Sequence, residues 1–207
     1  MAENNQIIIT IGRKFGSMGH KIAKQLGEEL GMDVVDRSLL FDMAEQDGFD
    51  GDFLREYDEK PINHFTSGEV RGHSNSIEKI LAEKIFEFQK DFVKTGKSVI
   101  FVGRCAEHNL RGTENHIRIF ITADEDARIA RIAEVRGLSE HDAKHLVHKM
   151  DKKRVHFNHS HGNHGWGELD SYDLILNTTG LDTESSVAIL KNYIEVWKTK
   201  NHIDTDD

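Results

Sequence analysis

The chain has 207 residues, 37% hydrophobic and 30% charged, with a net charge of −9. That size and balance provide one globular domain with a real core, and exclude a disordered chain or a uniformly basic nucleic-acid-binding face. Cys105 is the only cysteine, so no internal disulfide forms, and the opening "MAENNQ" lacks the basic-then-apolar pattern of a secretory signal. No apolar run reaches the length of a membrane span. The expectation is a cytoplasmic protein with small-molecule partners, neither a nucleic acid polymer nor a membrane, and with homo-oligomerisation left open.

The elements follow in chain order. "IIITI" (7–11) reads as a buried strand, and Ile22, Ala23, Leu26 and Leu30 form the apolar stripe of a helix that Gly31 can end. "DVV" (33–35) is a short second strand. Residues 41–75 break the rhythm: they are acidic, carry glycines and hold the only proline, Pro61. They are read as an inserted helical flap on the substrate side. Asn75 with Glu78 resembles a capping box, and Ile77, Ile80, Leu81, Phe88 and Phe92 continue at helical spacing to Gly96. "SVIFV" (98–102) and "IRIFI" (117–121) are further buried strands. Asp124 can cap a helix through Arg136, with Gly137 as the stop. Ser139 with Asp142 opens another, striped by Ala143, Leu146, Val147 and Met150. "YDLIL" (172–176) is the last strand, and Thr183 opens a helix striped by Val187, Leu190, Ile194 and Trp197. Apolar strands without strict alternation, separated by helices, predict an α/β fold with a five-stranded parallel sheet flanked by helices.

"IIITIGRKFGSMGHKIAKQL" (7–26) places glycines and basic residues between a strand and a helix. Such a turn is an anion site, because the helix N-terminus presents free backbone N–H groups and the positive end of its dipole. Gly16, Ser17, Met18, Gly19, His20 and Lys21 would supply that backbone. The generic loop G-x-x-x-x-G-K-[ST] nevertheless fails here, since Gly19 stands where its lysine belongs. On this stretch alone, a ligand-free turn is as well supported as a phosphate site. Asp36 and Arg37 follow the second strand and Arg104 follows the third, at the sheet edge where ligands collect in such folds. The stripe Ala143–Val147–Met150 projects onward to Arg154, a charge on an apolar face.

"ITIGRKFGSMGHKIAKQLGEELGMDVVDRSLL", "VGRCAE", "RIFITADEDARIARI", "DKKR" and "GWGELDSYDLILNTTGLDTESSV" together resemble the cytidylate kinase-like family, a branch of the nucleoside monophosphate kinases. The resemblance spans nearly the whole chain except the flap. It implies a P-loop NTPase-type fold in a single domain (1–207) with a lid over 128–168, and ATP-dependent phosphoryl transfer with Mg²⁺. It also implies that the loop works without the standard lysine, with Arg13 and Lys14, ahead of Lys21, as the replacing cations. By the same resemblance Asp36, Arg37, Arg104 and Asp151 bind the acceptor, Arg154 lies near the phosphates, and Arg128 and Arg131 are lid arginines. CMP or dCMP is the acceptor the family implies. Two departures bear on that base. Val102 and Cys105 replace the acids beside the family's strand-end arginine, and Asp42 stands near an expected arginine. The Mg²⁺ ligands are left unassigned between Asp36 and Ser17.

Three function classes therefore stand: a nucleotide kinase, including one with another small metabolite as acceptor; a nucleotide-binding regulator with little catalysis; and a metal-binding protein. The third rests on His148, His156, His159, His161 and His164, whose spacing fits no structural-zinc pattern. Those histidines are read as lid residues, and Cys105 as a packed side chain.

Overall fold

In a computed structural model of the protein, residues 5–36, 74–162 and 165–203 are described, with side chains of the second stretch described from residue 81. The expected flap, Arg37, the Asn75–Glu78 cap and His164 lie outside this description. Five strands form one sheet: β1 (Ile8–Arg13), β2 (Asp33–Val35), β3 (Val99–Val102), β4 (His116–Thr122) and β5 (Leu174–Asn177). Their order is β2-β3-β1-β4-β5 and every pairing is parallel. The fold is thus the five-stranded parallel sheet flanked by helices that the sequence led us to expect.

Helices α1 (Gly19–Leu30), α2 (Ser74–Lys94), α3 (Ala106–Asn109), α4 (Glu125–Arg136), α5 (Glu140–His161) and α6 (Thr183–Lys200) connect or flank the strands. A twelve-residue helix such as α1 is marginal alone. Its stripe supplies the missing stability: Ile22, Ala23 and Leu26 are fully buried against Ile9, Ile11, Ile119 and, from α6, Leu190 and Ile194. Each such aliphatic side chain contributes about 1.5–3 kcal/mol on burial. The opposite face carries Ile8, Val99 and Phe101, covered by Ile85, Leu81, Phe88 and Phe92 of α2. Alternate strand residues thus feed two apolar layers, which is why the strand runs lack polar alternation.

One cap expectation needs correction. Asp124 sits at the N-cap of α4 but makes no cap bond, because its Oδ1 accepts from Asn177 Nδ2 at 3.0 Å. Thr183 opens α6 as expected, with Asp182 before it as the cap, accepting the Ser185 N–H at 2.7 Å. The Ser139 cap of α5 is as expected, with Oγ accepting the Asp142 N–H at 3.1 Å. β1 is the strand from which the chain departs to one side for β2 and returns to the other for β4. The crevice beyond its C-terminal end is therefore where a ligand of such a sheet sits.

Candidate active site

β1 delivers Arg13 to that crevice, and residues 14–18 turn into α1. Met18 occupies the N-cap in the left-handed region (φ 62°) and offers no side-chain cap bond. The first amides of α1 are accordingly uncapped: Gly16, Met18, Gly19, His20 and Lys21 donate no backbone hydrogen bond among the described residues. The carbonyls are the reverse. Arg13 O accepts from Arg154 Nη1 at 2.7 Å, and Lys14 O from Ser17 Oγ at 2.8 Å. Phe15 O accepts from Arg128 Nη1 at 3.1 Å, Gly16 O from Arg131 Nη1 at 3.5 Å, and Ser17 O from Thr178 Oγ1 at 3.0 Å. Met18 O closes the first turn with the Ile22 N–H at 2.9 Å. Acceptors are spent inward and donors face out, which is the polarity an anion site requires.

Three arginines converge beside this loop from different elements: Arg13 at the end of β1, Arg104 just after β3, and Arg154 of α5. Burial, reinforced by Arg154 and Arg104, pushes the Arg13 guanidinium down to about 9. Burial likewise pushes Arg154 down to about 10, with Asp151 opposing and Arg104 adding to the shift. Arg13 Nε is buried without a hydrogen-bond partner among the described residues. Charge crowded and desolvated in this way is costly unless an anion completes it. Glu107 and Asp36 supply the acidic balance to Arg13. Burial pushes the Glu107 carboxyl up, and the Tyr172 hydroxyl lies 3.4 Å from its Oε1.

The position of Arg13 depends on Gly103. A Cβ there would lie 1.8 Å from Arg13 Nη1, on a backbone with φ 75°. Gly103→Ala should displace the guanidinium rather than the backbone, since the obstructed atom ends a flexible side chain. Should Arg13 hold a substrate phosphate, the KM for that substrate is expected to rise at least tenfold, while strain costs only about 1–2 kcal/mol. Steady-state kinetics with a thermal melt checks the split, and unchanged KM values for both substrates would refute a substrate-binding role for Arg13.

The remaining sequence-derived candidates divide. Asp36 is buried after β2, its Oδ2 3.6 Å from Nδ1 of His20 in the first turn of α1. Burial lowers the His20 imidazole, with Asp36 opposing. Lys14 and Lys21 make no ion pair among the described residues, and Ser17 is fully buried with its hydroxyl turned to Lys14 O. Asp151 turns toward the loop and Arg128. Its Oδ1 accepts the Phe15 N–H at 2.7 Å and its Oδ2 pairs with Arg128 at 2.6 Å. Arg128 is 3% exposed and also donates to Ala123 O. Arg131 reaches Thr178 O and Thr179 O. Cys105 is buried in a left-handed turn, and burial with Glu107 raises its thiol out of the nucleophilic range.

Among the described residues no group of three His, Cys, Asp or Glu side chains is placed to hold a metal ion. His148 pairs with Glu125 at 3.0 Å, while His161 packs on Phe157 with ring centroids 4.7 Å apart. Sequence reasoning missed Glu107, Thr178 and Phe15. Phe15 lies under the guanidinium groups of Arg136 and Arg154, 5.6 Å from each. The available signals were a carboxylate three residues after Arg104 and an aromatic ring inside a basic loop.

A parallel sheet whose central strand ends in an uncapped helix start beside three arginines has the polarity of an anion site, and the family match makes the chain a phosphotransferase. The chain belongs to the cytidylate kinase-like family, which it matches over residues 8–180. It is 24% identical over 196 residues to the cytidylate kinase of Archaeoglobus fulgidus, covering 93% of this chain and 97% of that one. A solved structure of an uncharacterized protein from Eubacterium ventriosum is 28% identical, with TM-score 0.73 over 92% of this chain and 99% of that one. The shikimate kinase of Bacteroides thetaiotaomicron, 16% identical with TM-score 0.53, shares the fold over 91% of this chain and 98% of its own. Among the described residues no helix is long and apolar enough to cross a membrane.

Proposed function

We propose that this phosphotransferase moves the γ-phosphoryl group of ATP to a nucleoside monophosphate, with CMP or dCMP as the first acceptor to test. The observation that carries this reading is the Arg13–Arg104–Arg154 cluster beside the amide-lined loop. Phosphoryl transfer needs the two phosphates held in line and cations placed where charge develops. The backbone from Gly16 to Lys21 would hold the donor phosphates, with Lys14 as the cation that stands in for the generic lysine. Arg13 and Arg104 would hold the acceptor phosphate by bidentate contacts, and Arg154 would lie between donor and acceptor.

Mg²⁺ would neutralise the β- and γ-phosphate oxygens. It takes one or two carboxylates and fills its shell with water and phosphate. Asp36, beside the first turn of α1, is the carboxylate that fits, and Ser17 Oγ, which donates to Lys14 O, keeps lone pairs that could add a contact.

A second reading keeps the chemistry and changes the acceptor to another small phosphorylatable metabolite. Burial favours it: Val102 and Cys105, in the places of the expected base-reading acids, are 1% and 0% exposed and present no polar side chain to a base. Release of ADP across a panel of nucleoside monophosphates and sugar phosphates decides between them. Turnover peaking at CMP or dCMP supports the first, a sugar phosphate outrunning every nucleotide supports the second, and ATP binding without turnover on any acceptor leaves a regulator.

A further inference from the structure

We infer that Asp151 and Arg128 are a positioning pair: they set the affinity of the phosphate loop for the donor by holding the peptide groups of Phe15, without touching either substrate. This rests on the ATP-binding reading of the loop. Asp151 accepts the Phe15 N–H at 2.7 Å, and Arg128, paired to the same carboxylate at 2.6 Å, donates to the Phe15 carbonyl at 3.1 Å. Residue 15 is thus gripped at both of its backbone polar groups by one ion pair.

The consequence follows from peptide geometry. A trans peptide is planar, so its carbonyl oxygen and the next residue's N–H point in opposite directions. Holding Phe15 O toward Arg128 aims the Gly16 N–H away from α4, toward the open side of the loop. Gly16 itself resists no rotation, since it sits at φ 80° and has no Cβ. Without an external tie the 15–16 peptide is free to turn over and present an oxygen where a phosphate oxygen belongs. Arg128 is fixed in turn by Ala123 O at 3.0 Å, so the grip is referenced to the end of β4.

Each Asp151 oxygen is already engaged, one by the Phe15 N–H and the other by Arg128, and its side chain is only 17% exposed. A pair that acts on the loop and one that contacts the acceptor predict opposite kinetics. In Asp151→Asn the amide cannot accept from both Phe15 and Arg128. We expect the ATP dissociation constant, measured by calorimetry, to rise at least tenfold. The acceptor KM should stay within twofold, and the Phe15 amide should exchange slowly in the wild type and rapidly in the variant.

A raised acceptor KM with unchanged ATP affinity overturns the inference in favour of a substrate contact, and no change in either overturns it outright. Should the asparagine variant fail to fold, Arg128→Lys keeps the charge and loses the fork. A severalfold weaker ATP affinity supports the inference there, and wild-type affinity defeats it. If the wild-type protein binds no ATP, the kinase reading falls, and amide exchange decides alone: a Phe15 amide that exchanges rapidly in the wild type overturns the pair, and one protected there but lost in the variant sustains it.

Discussion

Arg154→Ala should lower kcat by about 10²–10³-fold, the cost of removing one preorganised charge from a developing anionic transition state, while leaving the melting temperature within a few degrees of wild type. The two effects separate because Arg154 sits in a balance of opposing terms. Its loss removes one charge-assisted hydrogen bond to Arg13 O, about 1.5–3 kcal/mol. The same change relieves the burial of a guanidinium and its repulsion by Arg104 and Arg128, both of which oppose its charge. The fold therefore loses little, whereas the reaction loses a cation. Arg154→Lys should recover only part of the rate, since an ammonium group retains charge without the planar fork. Circular dichroism, a thermal melt and steady-state kinetics test all three statements. A turnover within threefold of wild type for the alanine variant would remove Arg154 from the site.

Gly16→Ala should abolish measurable ATP binding and lower stability by roughly 2–4 kcal/mol, summing the left-handed penalty and local overpacking. For a chain of this length that is a fall of about 5–15 °C in Tm. The backbone there has φ 80°, and a Cβ would stand 2.9 Å from the carbonyl oxygen and 3.2 Å from the Cα of Arg128. These atoms belong to α4, so relief requires the loop itself to move. Gly31→Ala is the control. It carries the same strain, with φ 63°, but nothing lies within 4 Å. It should cost about 1–2 kcal/mol and leave ATP affinity intact. Equal ATP affinity in the wild-type and Gly16→Ala proteins, by calorimetry, would contradict the loop's assignment.

The strands and helices were legible because the signals are local. Predominantly apolar runs such as Ile7–Ile11 and Ile117–Ile121 report a sheet covered on both faces, and the stripe Ile22–Ala23–Leu26 reports a helix on it. The positions of Arg13, Arg104 and Arg154 were also readable, since each follows from a strand end or a helical projection. The direction of a long side chain was not. Arg128, Arg131 and Asp151 bond the loop or its neighbour, contacts no sequence signal announced, because the sequence shows a charge but not which unpaired backbone group lies within its reach. Asp124 illustrates the same limit at a helix start, where Asn177 outcompetes the local amide for its carboxylate. Thr178 and Glu107 were invisible for a related reason. A hydroxyl in "NTTG" and an acid in "RCAE" acquire meaning only when the ends of β5 and β3 meet the loop.

With the oxygens from Arg13 to Met18 all occupied, the rim of this turn shows solvent only the electropositive ends of its peptide dipoles. Sodium or potassium then finds no oxygen cage there to compete for. Discrimination between charge signs is therefore written into main-chain orientation, and surface residues around the mouth can vary without reversing it.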